Sequence, residues 1–338
     1  MKKVKVEDAV GMTLCHDITS MRQGFKGAAF KRGHVIGESD IPMLLDIGKK
    51  HIYVWEENRG EIHEEECAQR LCALSISDHM TSSGVSEGKI VISSAIDGMY
   101  RVNTELLNEI NHIEDITITG LPDHYPVTKG QKIVSMRIIP LVTKEENIIK
   151  AEQTAKKGWL FRVLPYIKRK VGVIITGSEI YTGRIEDKFE PVVRNKVLRF
   201  PAEILGVTIC DDEIPMIKRA AKSFLKQGAD LLLFAGGMSV DPDDVSPEAI
   251  ASLGADIVSY GVPAQPGNMT MVAYLGDVPI LGIPGAAISL PTTLFDVLLP
   301  QIFTEEKITR EDLLRIAQGG LCQRCRHCHF PNCTFGRY

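Results

Sequence analysis

Four regularly spaced cysteines near residue 325 could bind a metal. Thiolates two residues apart can turn onto one metal, and four of them complete either a tetrahedral zinc site or a [4Fe–4S] cluster. The two-residue intervals favour iron–sulfur, whereas His327 and His329 offer alternative zinc ligands. A flexible tail of reduced thiols is the remaining interpretation. The spacing is C-x2-C-x2-C-x4-C, formed by Cys322, Cys325, Cys328 and Cys333.

The other four cysteines are dispersed along the chain, and we interpret them as small apolar residues. The lysines at the start of the sequence are not followed by the apolar stretch of a secretion signal. This pattern predicts a cytoplasmic protein, in which thiols stay reduced and a disulfide framework is not expected. The dispersed cysteines are Cys15, Cys67, Cys72 and Cys210.

A second candidate site is formed by three loops that contain glycine. Glycine lets backbone N–H groups approach an anion, and helix N-termini favour negative charge, so such loops suit a phosphate. They span Thr176–Gly183, Gly236–Pro247 and Ile283–Ser289.

The second glycine loop also carries three aspartates, Asp241, Asp243 and Asp244. Carboxylates can accept paired hydrogen bonds from an amino-pyrimidine edge or can hold Mg²⁺. The alternative is that each loop is only a turn, and that an aspartate such as Asp244 caps the helix that follows.

The elements that would position these loops alternate between strand and helix. Continuous apolar runs at Val171–Ile175, Val207–Cys210 and Asp230–Ala235 are typical of buried parallel strands. Helices are expected over 187–205 and 286–303. The alternation predicts an α/β fold with a doubly wound, mostly parallel sheet, in which ligands bind at the carboxyl ends of the strands.

Composition and pattern divide the 338 residues into four regions. The second region shows no catalytic constellation in residues 88–142. The four regions are a small α+β part at 1–57, a helical and β-rich part at 58–167, the α/β domain at 168–305 and a cysteine-rich, metal-binding tail at 306–338, called the cysteine tail below.

Charge and hydropathy exclude two classes of partner. The net charge is −4, which does not indicate a general nucleic-acid binder. No run of about 20 apolar residues is present, so we expect no membrane span.

At the three glycine loops the chain resembles the molybdopterin-binding domain shared by molybdopterin adenylyltransferases and molybdopterin molybdenumtransferases. The family's first loop reads T-G-D-E-L, and Thr176–Ile180 is similar to it. Its second loop begins G-G-x-S and reaches an aspartate, as do Gly236–Ser239 and Asp244. Its third loop reads L-P-G-N-P-x-S, and Ile283–Ser289 is similar. Residues 1–57 resemble the part that precedes this domain in molybdenumtransferases, which favours that branch.

Two departures from the family pattern bear on catalysis. Ser178 stands where the family has the aspartate of T-G-D-E. Gln265–Met269 stands where molybdenumtransferases have K-P-G-K-P, so both lysines are absent. Cations help to hold molybdate and the phosphate charge that develops during metal insertion. Binding is therefore expected more firmly than turnover.

The resemblance implies roles for individual residues. Asp244 would contact the pterin or Mg²⁺, and Asp212 would do similar work from the neighbouring strand end; these two are the candidate catalytic residues. The phosphate would lie against the glycine loops, with Glu179 as a secondary ligand. The candidate cofactor-binding residues are Thr176, Gly177, Ser178, Glu179, Gly236, Gly237, Ser239, Pro284, Gly285 and Ser289.

The resemblance also implies a function. We expect a molybdopterin-binding protein of molybdenum or tungsten cofactor biosynthesis that resembles a molybdenumtransferase, which joins molybdate to adenylated molybdopterin. A non-catalytic carrier or sensor, whose metal-binding tail reports redox state or docks to a molybdoenzyme, is the alternative, and reuse of the fold for another pterin or nucleotide is a third. Family members are usually oligomeric, which implies a homodimer.

Overall fold

The computed structural model describes residues 1–22, 25–56 and 60–337. The predicted boundary between residues 57 and 58 lies outside the described residues. Contacts divide the chain into two compact units. The second unit contains the predicted α/β region, the cysteine tail and three short segments of the middle region, the last of which is 163–167. The first unit comprises 1–95, 102–120 and 130–162, and the second comprises 96–101, 121–129 and the chain from 163 onward.

The elements up to residue 165 are mostly short strands. In chain order they are β1 (Lys2–Lys5), β2 (Ile18–Arg22), β3 (Phe25–Phe30), α1 (Asp40–Asp46), β4 (His51–Val54), β5 (Glu61–His63), α2 (Glu64–Ser75), β6 (Met80–Ser82), β7 (Ile90–Ser94), β8 (Gly98–Val102), α3 (Thr104–Asn111), β9 (Ile116–Gly120), β10 (Tyr125–Val127), β11 (Lys132–Ile138), β12 (Val142–Lys144), α4 (Glu145–Ala155) and β13 (Phe161–Pro165).

The first unit has the α+β and β-rich character that its sequence predicts. Strand β1 pairs with β4 and β2 pairs with β3, both antiparallel. Leu44 of α1 and Ile52 of β4 lie in one buried apolar cluster, as the spacing of apolar residues predicts. A separate antiparallel sheet has the strand order β6-β7-β11-β9.

The second unit continues from residue 169 with longer and more regular elements. They are β14 (Arg169–Thr176), α5 (Ser178–Tyr181), α6 (Phe189–Val197), β15 (Ala202–Cys210), α7 (Ile214–Lys226), β16 (Leu231–Ala235), α8 (Ser246–Ser252), β17 (Asp256–Tyr260), β18 (Met271–Leu275), β19 (Val278–Ile283), a 3₁₀ helix (Gly285–Ile288), α9 (Leu294–Ile302) and α10 (Arg310–Arg315).

A six-stranded sheet forms the centre of this second unit, in the order β15-β14-β16-β19-β18-β17. The first four of these strands run parallel, and β18 and β17 are antiparallel to their neighbours. Val173 and Ile175 belong to one buried cluster and Ile174 to another, so both faces of β14 are covered. Fully burying each such side chain contributes about 1.5–3 kcal/mol. The predicted α/β fold with a mostly parallel sheet is confirmed.

Two predicted helices are shorter than expected. Helix α6 ends at Val197 and β15 already begins at Ala202, because Pro201 disfavours helical backbone at the residue before it. The stretch 286–303 divides into the 3₁₀ helix and α9. Pro291 lies between them, and Thr293 and Asp296 form a capping box that begins α9 anew.

Candidate functional site

Three parallel strands of the central sheet end side by side. Ile175 of β14 is in register with Ala235 of β16, and Ala235 is in register with Ile283 of β19. Because parallel strands present their carboxyl ends at one edge, the three glycine loops leave the sheet next to one another. The register therefore gathers the loops that the sequence predicts to act together.

The first and second glycine loops are packed backbone against backbone. A Cβ atom at Gly236 would stand 2.1 Å from the carbonyl oxygen of Thr176, and one at Gly237 would stand 2.8 Å from the Thr176 Oγ1. Both glycines also have positive φ, +91° and +55°. Ser246 Oγ lies 3.0 Å from Thr176 Oγ1 and donates to the Gly236 carbonyl at 3.0 Å. Glycine is needed here because the chain turns sharply against buried Thr176.

A cavity of about 370 Å³ opens between the second and third glycine loops, and we call it the glycine-loop cavity. Its volume is within the range of about 300–1,000 Å³ that is usual for small-molecule sites. A third wall comes from the segment that precedes β18. The lining residues are Gly236, Gly237, Met238, Ser239, Asp241, Asp244, Gly267, Asn268, Met269, Pro284, Gly285 and Ala286.

Asp244 lines this cavity and also holds the second loop in shape. Its carboxylate accepts a hydrogen bond from the backbone N–H of Asp241 at 3.0 Å, and its own N–H donates to the Asp241 carbonyl at 2.9 Å. Helix α8 has Val245 at its N-cap and no side-chain cap. The interpretation of Asp244 as a cap for that helix is therefore wrong, since its carboxylate closes the loop instead.

Tyr260 braces the same loop from strand β17. Its hydroxyl lies 3.0 Å from the carbonyl oxygen of Met238 and 2.8 Å from that of Ser239, and its single hydrogen is shared between these two acceptors. Burial raises the pKa of Tyr260, and the negative charge of Asp244 raises it further. The phenol therefore stays a neutral donor to the loop.

The first glycine loop is tied to the acidic end of β15. The N–H of Ser178 donates to the Asp212 carboxylate at 2.8 Å, and the Ser178 hydroxyl donates to Asp211. Asp212 thus positions the first loop and is not among the residues that line the glycine-loop cavity. Gly177 has a φ of +148° and lies against the Glu179 carboxylate.

The third loop enters the cavity at Pro284 and Gly285, where the 3₁₀ helix begins. The first N–H groups of a helix have no partner inside it, so they point out as donors for an anion. A Cβ atom at Gly285 would meet nothing within 4 Å, which leaves open space at this point. Ser289 lies beyond the cavity and directs its hydroxyl at the Ala286 carbonyl, 3.5 Å away.

The structure therefore brings together only part of the predicted set. Six lining residues are not among the predicted site residues. Met238, Asp241 and Ala286 belong to the predicted glycine loops, whereas Gly267–Met269 is a further segment. That segment could have been found, because it stands where the family has K-P-G-K-P. Predicted residues on the lining are Gly236, Gly237, Ser239, Asp244, Pro284 and Gly285, and those off it are Thr176, Gly177, Ser178, Glu179, Asp212 and Ser289.

The charge of the glycine-loop cavity is negative. Asp241 and Asp244 are its charged lining residues, and none of the twelve is cationic. Among residues 1–22, 25–56 and 60–337, no group of three His, Cys, Asp or Glu side chains could hold a metal ion. Mg²⁺ is commonly bound by one or two carboxylates together with ligand phosphates, and the carboxylates that this lining offers are those of Asp241 and Asp244.

The four cysteines of the tail line a different cavity, of about 220 Å³. Cys325 and Cys328 are exposed, and Cys322 and Cys333 are half-buried. The dispersed cysteines are buried, as expected of small apolar residues. Burial raises the pKa of the Cys210 thiol to about 11. In the part of the chain that the structure describes, no helix has the length and apolarity to cross a membrane.

Comparison with known proteins identifies two regions of the chain. Residues 3–56 match the family model of a domain of unknown function (DUF8806). Residues 172–304, within the predicted α/β domain, match the model described as a probable molybdopterin binding domain.

A CinA-like protein of Mycobacterium tuberculosis is 32% identical over 85 residues, which are 25% of this chain and 20% of that protein. The chain thus spans about a fifth of the length of the curated relatives it matches. Among solved structures, the molybdopterin biosynthesis enzyme MoaB of Thermus thermophilus aligns over 41% of this chain and 99% of its own, with 20% identity and a TM-score of 0.30. The protein CinA of Thermoplasma acidophilum aligns over 40% and 98%, with 17% identity and a TM-score of 0.36.

Proposed function

Since residues 172–304 are a domain of the molybdopterin-binding family, we propose that the chain binds molybdopterin in the glycine-loop cavity. Its role would be that of a molybdenumtransferase-like protein of molybdenum or tungsten cofactor biosynthesis. One observation carries the proposal: the family's second and third loops line one cavity, and Asp244 faces it beside Gly236, Gly237 and Gly285.

The two ends of a phosphorylated pterin call for different partners, and the cavity offers both. The phosphate is expected at the N-terminus of the 3₁₀ helix and against the glycines of the second loop, where backbone N–H groups donate. The amino-pyrimidine edge is expected at the Asp244 carboxylate, which accepts paired hydrogen bonds. Asn268 supplies both a donor and an acceptor from the third wall.

Asp241 makes phosphate binding dependent on a cation. A carboxylate and a phosphate about 4 Å apart repel by about 4 kcal/mol near a protein surface. Mg²⁺ between them removes this repulsion, and Asp241 and Asp244 are the residues that would hold it. We therefore expect Mg²⁺ to strengthen binding of adenylated molybdopterin more than binding of the free pterin.

The lining favours a second candidate, a non-catalytic molybdopterin carrier or sensor. Metal insertion places molybdate beside a phosphate that gains charge, and preorganised cations stabilise such charge. No lining residue of the glycine-loop cavity is cationic. Asn268 and Met269 occupy the segment in which molybdenumtransferases carry lysines.

Binding is tested with anaerobically purified protein and molybdopterin. Asp244→Asn should raise Kd at least about tenfold, equivalent to about 1.4 kcal/mol, because the amide cannot accept paired donors. Asp243→Asn is the matched control, since Asp243 lies in the same loop and off the cavity lining, and should change Kd less than about twofold. Absence of binding to the wild-type chain would overturn the proposal.

Turnover is tested by molybdate-dependent release of AMP from adenylated molybdopterin, with tungstate as the competing oxyanion and with or without Mg²⁺. Release that requires the oxyanion supports a transferase. Tight binding without release supports the carrier. The proposed homodimer is tested in the same preparation by sedimentation, with a molybdoenzyme added as a candidate partner of the carrier.

A further inference from the structure

A second cavity in the second unit carries chemistry that pterin binding does not use, and we call it the thiol cavity. All four cysteines of the tail lie on its wall. The remaining wall is largely apolar, with Pro266, Leu290 and Pro291 on one side and Phe330 and Phe335 from the tail itself. Four thiols thus border one partly open and largely apolar space.

The cysteine tail is folded back on the unit and fixed at its first end by backbone pairing. Leu321 forms a parallel bridge with Gln265. The N–H of Gln265 donates to the Gly320 carbonyl at 2.7 Å, and the N–H of Cys322 donates to the Gln265 carbonyl at 2.8 Å. The first cysteine therefore has a fixed backbone position, which a flexible tail would lack.

The second end of the cysteine segment closes on the first. The N–H of Gly336 donates to the Gly319 carbonyl at 2.9 Å, and Phe335 between the cysteines and this contact is only 2% exposed. A Cβ atom at Gly319, where φ is +95°, would stand 2.3 Å from the Arg337 carbonyl oxygen. The chain thus approaches itself at a distance that only glycine permits, and the cysteines lie on a closed loop.

Arg337 holds this closed loop against the rest of the unit. Its guanidinium is buried over the rings of Tyr125 and Phe330, 4.5 Å and 5.3 Å from their centroids. It also donates to the carbonyl oxygens of His124 at 3.4 Å and Pro331 at 3.3 Å. A buried cation with stacking and hydrogen-bonding partners fixes the loop far more firmly than surface contacts would.

The sulfur atoms have polar partners suited to thiolates. Cys328 Sγ lies 3.1 Å from the Thr292 hydroxyl, and Cys322 Sγ accepts from the N–H of Arg324 at 3.5 Å. Arg324 and Arg326 add positive charge within the cysteine run. Hydrogen bonds to sulfur and nearby cations stabilise the negative charge of a cluster bound through four thiolates.

We propose that Cys322, Cys325, Cys328 and Cys333 bind a [4Fe–4S] cluster in the thiol cavity. A zinc ion with Zn–S bonds of about 2.3 Å would need sulfurs only about 3.8 Å apart. The structure places these thiols around a space of about 220 Å³, and no three ligand side chains in its described residues could hold one ion. A cube of four irons and four sulfides takes one thiolate on each of its irons, so it suits four thiols distributed around one space.

The cluster would lie beside the glycine-loop cavity. Pro266 lines the thiol cavity and the next residue, Gly267, lines the glycine-loop cavity. The backbone of Gln265, one residue earlier, carries both hydrogen bonds to the tail. The inference rests on the tail alone and does not require that the neighbouring cavity binds a pterin.

The test is chemical analysis of the full chain purified without oxygen from iron-replete cells. We expect about four irons and four acid-labile sulfides per chain, and a paramagnetic signal after reduction with dithionite. Cys325→Ser and Cys328→Ser alter exposed positions, so they should fold as the wild type does and lose at least half of the iron and sulfide. His329→Ala is the control, because His329 lines the cavity and is not a proposed ligand.

Thiol labelling supplies a readout that does not depend on the cluster's spectrum. The loaded chain should react at none of its eight cysteines, and removal of iron with a chelator should expose the four of the tail while the four buried ones stay protected. Zinc without sulfide, no metal with freely reacting tail thiols in the fresh protein, or full cluster content in both serine variants would each overturn the proposal. A cluster without pterin binding would leave this inference standing and remove the proposed function.

Discussion

The two cavities of the second unit meet at Pro266 and Gly267 but are built by opposite means. The glycine-loop cavity is polar and negative, and its walls are backbone turns at the ends of parallel strands. The thiol cavity is apolar, and its walls are side chains of a tail that returns to the sheet from elsewhere. A cavity of the first kind accompanies any such sheet, whereas one of the second kind exists only if the returning chain is fixed in place.

What fixes each cavity differs accordingly. Close backbone packing at Gly236 and Gly237 shapes the first, and few charged groups take part. Buried charges fix the tail around the second. Arg337 of the tail donates to the His124 carbonyl, and the neighbouring Asp123 forms an ion pair with Arg101 of β8. Substitutions that add side-chain volume should therefore disturb the glycine-loop cavity, whereas substitutions that remove a buried charge should disturb the thiol cavity.

The largest expected effect is on the start of α9, where the N–H of Leu294 donates to the carbonyl of Pro266, the residue at which the two cavities meet. Lys196 donates to both Asp296 oxygens at 2.6 Å and to the Pro291 carbonyl, at the start of α9. Lys196→Met leaves the Asp296 carboxylate buried without its cation, which costs about 3–5 kcal/mol. Urea denaturation should show that loss, together with weaker pterin binding and lower iron content.

Lys188→Met is the control for this change, because Lys188 is exposed just before the same helix α6. Its free energy of unfolding should change by less than about 0.5 kcal/mol. If Lys196→Met cost no more than the control, or disturbed one cavity alone, the start of α9 would not support both cavities.

The second expected effect should change the glycine-loop cavity and leave the thiol cavity unchanged. Gly236→Ala forces a residue with a side chain into φ near +91°, which costs about 1–3 kcal/mol, and its Cβ would also meet the Thr176 carbonyl at 2.1 Å. We expect molybdopterin binding to be lost while the iron content stays at the wild-type level.

Gly254→Ala is the matched control for Gly236→Ala. Gly254 also has a positive φ, +84°, but a Cβ atom there would meet nothing within 4 Å. Calorimetric melting of both variants gives the difference that is due to the close approach alone. Equal melting temperatures would show that the loop relaxes and that the packing against Thr176 is not what shapes it.

The third effect is pH-dependent and concerns Asp123, next to the His124 carbonyl that receives a hydrogen bond from Arg337 of the cysteine tail. Burial by itself raises the pKa of Asp123, but the hydrogen bond and charge of His124, together with Arg101, outweigh it and hold the pKa well below the usual range. The pKa of Asp123 is lower in the folded chain than in the unfolded chain, where it is about 3.9. The ionised carboxylate therefore stabilises the fold at pH values above the unfolded-state pKa, and this stabilisation is lost as the pH falls toward the folded-state pKa.

Asp123→Asn should therefore lower the free energy of unfolding by about 1.5–3 kcal/mol at neutral pH. The difference in free energy of unfolding between wild type and variant should become smaller below about pH 4. Denaturant titrations across this range measure the difference, with Asp277→Asn as the exposed control. A difference that is constant with pH would mean that the charge of Asp123 does not hold the turn that contacts the tail.

The difference between the two cavities also explains which structural features could be predicted from the sequence. Val171–Ile175 and Asp230–Ala235 predicted buried parallel strands because continuous apolar runs suit strands covered on both faces, and the structure confirms them. Loops at the ends of such strands must be neighbours, so Gly236, Asp244 and Gly285 could be grouped in advance.

The rest depended on contacts between segments that are distant in the chain. The sequence predicts Asp212 as a pterin ligand, but in the structure its carboxylate accepts a hydrogen bond from the N–H of Ser178. The types of these two residues do not predict that contact. Asn268 joins the lining only because the segment before β18 crosses the sheet end. The spacing of the four cysteines predicts a metal site, but nothing in the sequence indicates that the backbone N–H and carbonyl of Gln265 fix their tail.

The smallest effect tests whether side-chain bonds refine the glycine-loop cavity after backbone packing has formed it. Tyr260→Phe removes the one O–H donor that the loop carbonyls of Met238 and Ser239 share and leaves the ring in place. Such a bond contributes about 0.5–1.5 kcal/mol, so molybdopterin binding should weaken by about two- to tenfold without change in iron content. Tyr181→Phe, on an exposed side chain, should leave binding unchanged. If Tyr260→Phe also binds as the wild type does, backbone packing alone sets the shape of this cavity, and the contrast with the charge-held thiol cavity becomes sharper.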